Sequence, residues 1–134
     1  MKSQDHYYAQ TAYNCIKRIE SVQVQSKANA QEYGRLCHRF PAMVMLNGLR
    51  LTVAYFESVN KGSEMHQNYI ADLGSVLGIQ NWTEELPEQS SQYRHLTRRA
   101  LQASVWFKRY AEAILKVEGV EADDDNEQTR DLGD

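Results

Sequence analysis

Apolar residues along this chain recur at spacings of three and four, the interval at which side chains stack on one face of a helix. Nowhere does a β-branched run alternate as a half-buried strand would, and the Asn47-Gly48 pair lies inside a helical pattern rather than between two strands. Five helical segments are predicted. The first spans about residues 3–24, with Tyr8, Ala12, Cys15, Ile16, Ile19 and Val22 on one side. A second covers about 28–39 and stops before Phe40-Pro41, because the residue ahead of a proline is pushed out of the helical region. Proline suits the first turn of a third helix, 41–59. The fourth runs over 63–76 with Gly78 as its terminator. A polar connector holding Pro87 and three glutamates leads to the fifth and longest, 92–117.

The third segment differs in kind. Met43, Val44, Met45, Leu46, Leu49, Leu51, Val53, Ala54, Tyr55 and Phe56 cover nearly its whole circumference. A helix apolar all round is predicted to be central and enclosed by its neighbours, its methionines filling core gaps. The fold class that follows is all-α: a compact bundle of about five helices with a central apolar helix and a long C-terminal one.

The 134 residues fit one domain, and the chain is long enough to bury a core without metal or disulfide staples. Charge divides it unevenly. Eight acids (Glu118, Glu121, Asp123, Asp124, Asp125, Glu127, Asp131, Asp134) and Arg130 give residues 118–134 a net −7. Subtracted from −3 overall, that leaves residues 1–117 at +4. Residues 1–118 are therefore read as a mildly basic helical domain. Residues 119–134 are read as an acidic tail, expected to be disordered because it has almost nothing apolar to bury. No apolar stretch is long enough for a bilayer span and the first residues do not form a signal peptide, so a cytoplasmic protein with no membrane partner is expected. In a reducing cytosol Cys15 and Cys37 are expected to be free thiols.

The last helix carries the most information. At about 100° per residue, with Arg94 as zero, Arg98 falls near 40°, Arg109 near 60° and Lys116 near 40°. Leu96, Ala100, Ala103, Phe107, Tyr110 and Ile114 fall between about 160° and 240°. A cationic stripe about 33 Å long thus opposes the apolar one, weakened by Glu112 within it. Such spacing suits contact with a phosphate backbone without base reading; the plainer alternative is an ordinary solvated face. Lys108, near 320°, flanks the stripe, and Trp106, near 120°, borders the core face, where it is a candidate interface residue. Arg39 and Arg50, polar breaks at the ends of apolar stretches, are further candidates for such backbone contact, with plain surface the alternative.

Catalytic chemistry has no visible carrier. His6, His38, His66 and His95 form no metal-ligand pair on a helix face, Cys15 and Cys37 make no Cys-x-x-Cys, and no Gly-rich phosphate loop exists. Gly74 and Gly78 fit a helix contact and a cap instead. No catalytic residue, metal site, cofactor or small-molecule substrate is expected.

Several segments resemble the small subunit of the CRISPR type III-B (Cmr, RAMP-module) effector complex. They are Tyr33 and Leu36 leading into Phe40-Pro41, then Asn47-Gly48-Leu49 and Ala54-Tyr55-Phe56. In the last helix they are Tyr93-Arg94, Thr97-Arg98-Arg99-Ala100-Leu101 and Trp106-Phe107-Lys108-Arg109-Tyr110-Ala111-Glu112-Ala113. The likeness covers roughly residues 5–117, leaving out the acidic tail and much of 79–91. It implies a helical subunit without nuclease activity, acting in antiviral defence. It further implies that copies stack head to tail as the minor filament beside other Cmr subunits, with guide RNA and target RNA in the channel between filaments. Cleavage would belong to another subunit. Arg94, Arg98, Lys108 and Arg109 match the family's basic helix. Two other classes stay open: a helical protein-interaction scaffold with no nucleic-acid contact, and a stand-alone DNA-binding protein. The last would need a compact recognition helix after a tight turn, which neither junction offers clearly.

Overall fold

The computed structural model describes residues 3–22, 26–59 and 64–116. Among these there is no strand; the chain forms α1 (Gln4–Val22), α2 (Lys27–Asn47), α3 (Leu49–Ser58), α4 (Met65–Leu77), the short α5 (Trp82–Glu85) and α6 (Ser90–Tyr110), closed by a π-helical turn (Ala111–Leu115). The all-α bundle is borne out. The acidic tail lies outside the described residues. No described helix is long and apolar enough to cross a membrane.

Local chemistry explains the ends. The Ser26 hydroxyl caps α2 by accepting from the Asn29 N–H at 3.3 Å. Gly78, at φ 78°, ends α4 in the left-handed conformation, and the N–H groups of Ile79 and Gly78 reach back to the carbonyls of Gly74 and Ser75. Asn81 caps α5 through its side chain, while the Glu85 carboxylate accepts from the Gln80 and Asn81 N–H groups at 2.9 and 2.7 Å. That turn is anchored by Trp82, buried against Gly74 with its indole N–H donating to the Ile70 carbonyl at 2.9 Å. A Cβ on Gly74 would meet Trp82 Nε1 and the Ile79 carbonyl oxygen at 2.9 Å each, so glycine is required there for close approach. The helix contact and cap read from Gly74 and Gly78 are thereby borne out.

One boundary differs from the sequence reading. Proline 41 does not start a helix; it lies inside α2, which runs on to Asn47. Phe40 and Val44, both buried, hold the helix in register on either side of it, and packing outweighs the lost backbone bond. The break falls instead at Gly48, whose φ of 85° and ψ of 161° disfavour any L side chain. The Thr52 hydroxyl donates to the Gly48 carbonyl at 2.8 Å and helps start α3. The expected single enclosed helix over 41–59 is therefore two segments with unrelated phases. Met45, Leu46, Leu51 and Tyr55 are exposed rather than enclosed, Met45 and Leu46 at 74% and 82%. A helical wheel drawn across a break assigns faces that do not exist, and the core-filling role expected of Met45 is corrected with it. Met43 does pack against the core.

α6 packs on α1, α2 and α4, so the longest described helices enclose one core. Tyr33, Phe40, Phe56, Tyr69 and Phe107 form its centre, linked by ring centroids 5.3–5.7 Å apart at steep angles favoured by aromatic quadrupoles. One buried polar group bridges helices beside it: the Asp72 carboxylate of α4 accepts from the Tyr33 hydroxyl of α2 at 2.6 Å and from the Arg18 guanidinium of α1.

Cys15 and Cys37 are free and buried. Burial, with the Asp72 charge adding to it and Arg18 opposing, pushes the Cys15 thiol up to about 11, and Cys37 rises well above its ordinary value, chiefly by burial. A thiol raised on folding supports the fold below its unfolded pKa and withdraws that support as pH climbs through the folded one. We expect neither thiol to react with a disulfide reagent at pH 8, and both to become reactive together with helix loss between about pH 9 and 11. Stoichiometric labelling at pH 8 with helicity intact would contradict this.

Candidate nucleic-acid interface

α6 is fastened along its inner face and left open along its outer one. Leu96, Ala100, Ala103 and Phe107 are buried, as the apolar stripe requires. Arg99, between the faces, donates to the Tyr8 hydroxyl at 2.9 Å and to the Leu77 carbonyl at 3.3 Å, tying α6 to α1 and α4. Near its start, the Tyr93 hydroxyl accepts from the Arg50 backbone N–H at 2.8 Å. These attachments fix the rotation of the helix.

Arg94, Arg98 and Arg109 consequently point outward and are exposed, and none joins an ion pair among the described residues. Elsewhere on the molecule Lys17 pairs with Glu20, Arg18 with Asp72 and Arg35 with Glu32. Arg94 and Arg98, at i and i+4, repel by a few tenths of a kcal/mol, so their face is improved by an external anion. From Arg94 to Arg109 it extends about 22 Å.

The remaining candidates divide. Arg50 is brought to the N-terminal end of α6, its guanidinium over the Tyr93 ring at 5.4 Å and donating to the Pro87 carbonyl at 3.1 Å. Arg39 is exposed on α2, next to His38, whose Nδ1 lies 3.3 Å from Glu112; it stands level with the opposite end of α6. The same contact turns part of the Glu112 charge toward His38. Lys108 is half-buried on the flank. Lys116 is exposed, but its place on the stripe assumed an uninterrupted α-helix. The wider π turn shifts the phase before it, and its own φ of 51° turns the chain off the axis. Trp106 is engaged within the molecule: its indole N–H donates to Asp5 at 2.8 Å, its ring stacks on Tyr110, and Arg109 lies over it at 5.3 Å. It thus steadies Arg109 by a cation–π contact.

No group of three metal-ligating side chains occurs among the described residues. An open cleft between α5 and α6 holds Glu85, His95 and Arg99, yet Glu85 caps a turn and Arg99 is bound to Tyr8 and Leu77. The roles of Arg99, Tyr93 and Asp72 as ties between helices escaped the sequence reading, since no local pattern marks a side chain whose partner lies across the bundle. The exposed apolar surface of Met45, Leu46 and Leu51 also escaped it, although Asn47-Gly48 is a recognisable punctuation.

Residues 4–114 match the model of a family described as CRISPR-associated protein (Cas_Cmr5). The chain belongs to this Cmr5 family. A curated Cmr5 relative, the CRISPR system Cmr subunit Cmr5 of Thermus thermophilus, is 33% identical over 122 residues, covering 87% of this chain and 99% of the relative. The X-ray structure of a CRISPR-associated Cmr5 family protein from the same species superposes with a TM-score of 0.74 at 30% identity, over 85% of this chain and 98% of that one. The resemblance read from the last helix and the Phe40-Pro41 and Asn47-Gly48 segments is thus borne out. The Cmr5 match takes in every described helix and ends before the acidic tail.

Proposed function

We propose that this Cmr5 family member is a non-catalytic, cytoplasmic small subunit of a type III-B Cmr ribonucleoprotein, and that α6 lies along the backbone of guide and target RNA. Copies of the chain stack in the minor filament, contacting other Cmr subunits. The observation that carries this reading is the set of exposed Arg94, Arg98 and Arg109, which join no ion pair among the described residues, on one face of a helix whose other face is locked into the core. We count Arg50, Arg39, Lys108 and Lys116 as lesser contributors. Phosphate contacts of this kind hold RNA irrespective of sequence, and pairing between guide and target supplies discrimination. A single exposed cation contributes a fraction of a kcal/mol; repetition along a filament makes the sum effective.

A second reading, a protein-docking scaffold without RNA contact, is favoured by the exposed apolar surface of Met45, Leu46, Leu51 and Tyr55. One experiment separates the two. Arg94→Glu, Arg98→Glu and Arg109→Glu are combined, the complex is reconstituted, and assembly and target-RNA affinity are measured separately. Normal assembly with target affinity lowered at least about tenfold is expected from three lost cations and three added charges per copy. Unchanged affinity in an assembled complex would refute the RNA assignment, and failed assembly would favour the docking scaffold.

A further inference from the structure

The chain carries its own candidate for the open face of α6. We propose that residues 118–134 lie along the Arg94, Arg98 and Arg109 face in the free subunit, in cis, and are displaced when RNA binds. This rests on the reading of that face as an RNA contact, and it adds a control absent from the matched part of the family, which ends at residue 114.

Four observations converge. First, charge is complementary: net −7 beyond residue 117 against +4 for the rest, with Lys17, Arg18 and Arg35 held by carboxylates while Arg94, Arg98 and Arg109 join no ion pair among the described residues. Second, the attachment point is suitable. Lys116, at φ 51°, ends the helical run at the C-terminal end of the arginine face and turns the chain off the axis. Third, the segment reaches. The eighteen residues 117–134 span about 60 Å when extended, against about 33 Å from Lys116 back to Arg94. Fourth, the helix C-terminus at the point of attachment carries partial negative charge, offset within that turn by Lys116 alone, so the acids are better matched by the arginine face. Tethering beside this cationic face supplies an effective concentration in the millimolar range, enough for weak contacts to be populated at low salt. The segment then acts as a stand-in polyanion. It opposes adventitious nucleic acid, and it yields to RNA held by a whole filament of such faces.

The test uses the full chain. In one variant the eight acids of residues 118–134 are changed to their amides; in a second Arg94→Gln, Arg98→Gln and Arg109→Gln are combined; a third carries both sets. Binding of a duplex RNA of about 20 base pairs is measured at about 50 mM and about 500 mM salt, and the arginine Nε–Hε resonances are recorded without RNA. Neutralising the acids is expected to tighten RNA binding about tenfold at low salt and hardly at all at high salt, where the contacts are screened. It is expected to give no gain in the glutamine background, and to shift the resonances of Arg94, Arg98 and Arg109 independently of protein concentration. No shift at those arginines overturns the proposal, as does a shift that grows with concentration, which would mean docking between copies. An equal gain in the glutamine background also overturns it, because the acids would then act through net charge alone. RNA binding indifferent to the glutamine substitutions sinks the RNA reading of α6, while the resonances still decide the fate of the tail.

Discussion

Phe56→Ala is expected to cost about 3–5 kcal/mol of stability, the range for deleting a large buried aromatic side chain. Phe56 is fully buried and meets Phe40, His66 and Tyr69 with ring centroids 5.3–5.7 Å away. It is where α3 joins α2 and α4, so the cavity would open between three helices that cannot all collapse into it. A domain of this size has about 5–15 kcal/mol in total, so the variant would sit near the edge of folding. The denaturant midpoint should fall with little change in slope. Met45→Ala, at a residue 74% exposed on the other side of the Gly48 break, should stay within about 0.5 kcal/mol of the parent. A loss below about 1 kcal/mol for Phe56→Ala would mean that α3 is not packed as described.

Asp72→Ala is expected to cost about 2–3 kcal/mol, for a different reason. The same carboxylate oxygen accepts from Tyr33, which is fully buried, and from Arg18. Removing it leaves the Tyr33 hydroxyl without an acceptor in an apolar setting. The Arg18 side chain, 53% exposed, can recover water. Arg18→Ala should therefore cost much less, about 1 kcal/mol or under, because an exposed partner contributes little. Urea denaturation of both variants measures the asymmetry. Equal losses would show that the ion pair, rather than the buried hydroxyl, is what Asp72 sustains.

The elements that could be read from the chain were those whose signal is local. α1, α4 and α6 each present an unbroken apolar stripe, and Gly78 ends α4 as a glycine at that position should. Phe40-Pro41 misled because the rule for residues before proline describes a local preference, whereas Phe40 and Val44 are fixed by partners from other helices. Asn47-Gly48 reads as part of one continuous helix because apolar residues flank it on both sides. Yet the positive φ of Gly48 separates two helices and puts Leu46 and Leu51 on the surface. α5 was legible in principle, since Asn81-Trp82-Thr83-Glu84-Glu85 holds a cap and reciprocal acids, but Pro87 and the glutamates nearby read as a loop. On the outer face of α6, Arg94, Arg98 and Arg109 lay where the wheel put them. Lys116 did not, because no residue pattern announces a π turn.

The claim at the centre of this account is that the arginine face of α6 meets phosphates. Its most direct test is the salt dependence of target-RNA affinity in the reconstituted complex, compared between the parent and the Arg94→Gln, Arg98→Gln, Arg109→Gln variant. Each phosphate contact contributes about 0.7–0.9 to the slope of log affinity against log salt. The account predicts a slope shallower by at least about 2, with the two lines converging at high salt. Parallel lines of equal slope, from complexes that hold the subunit in full, would contradict it.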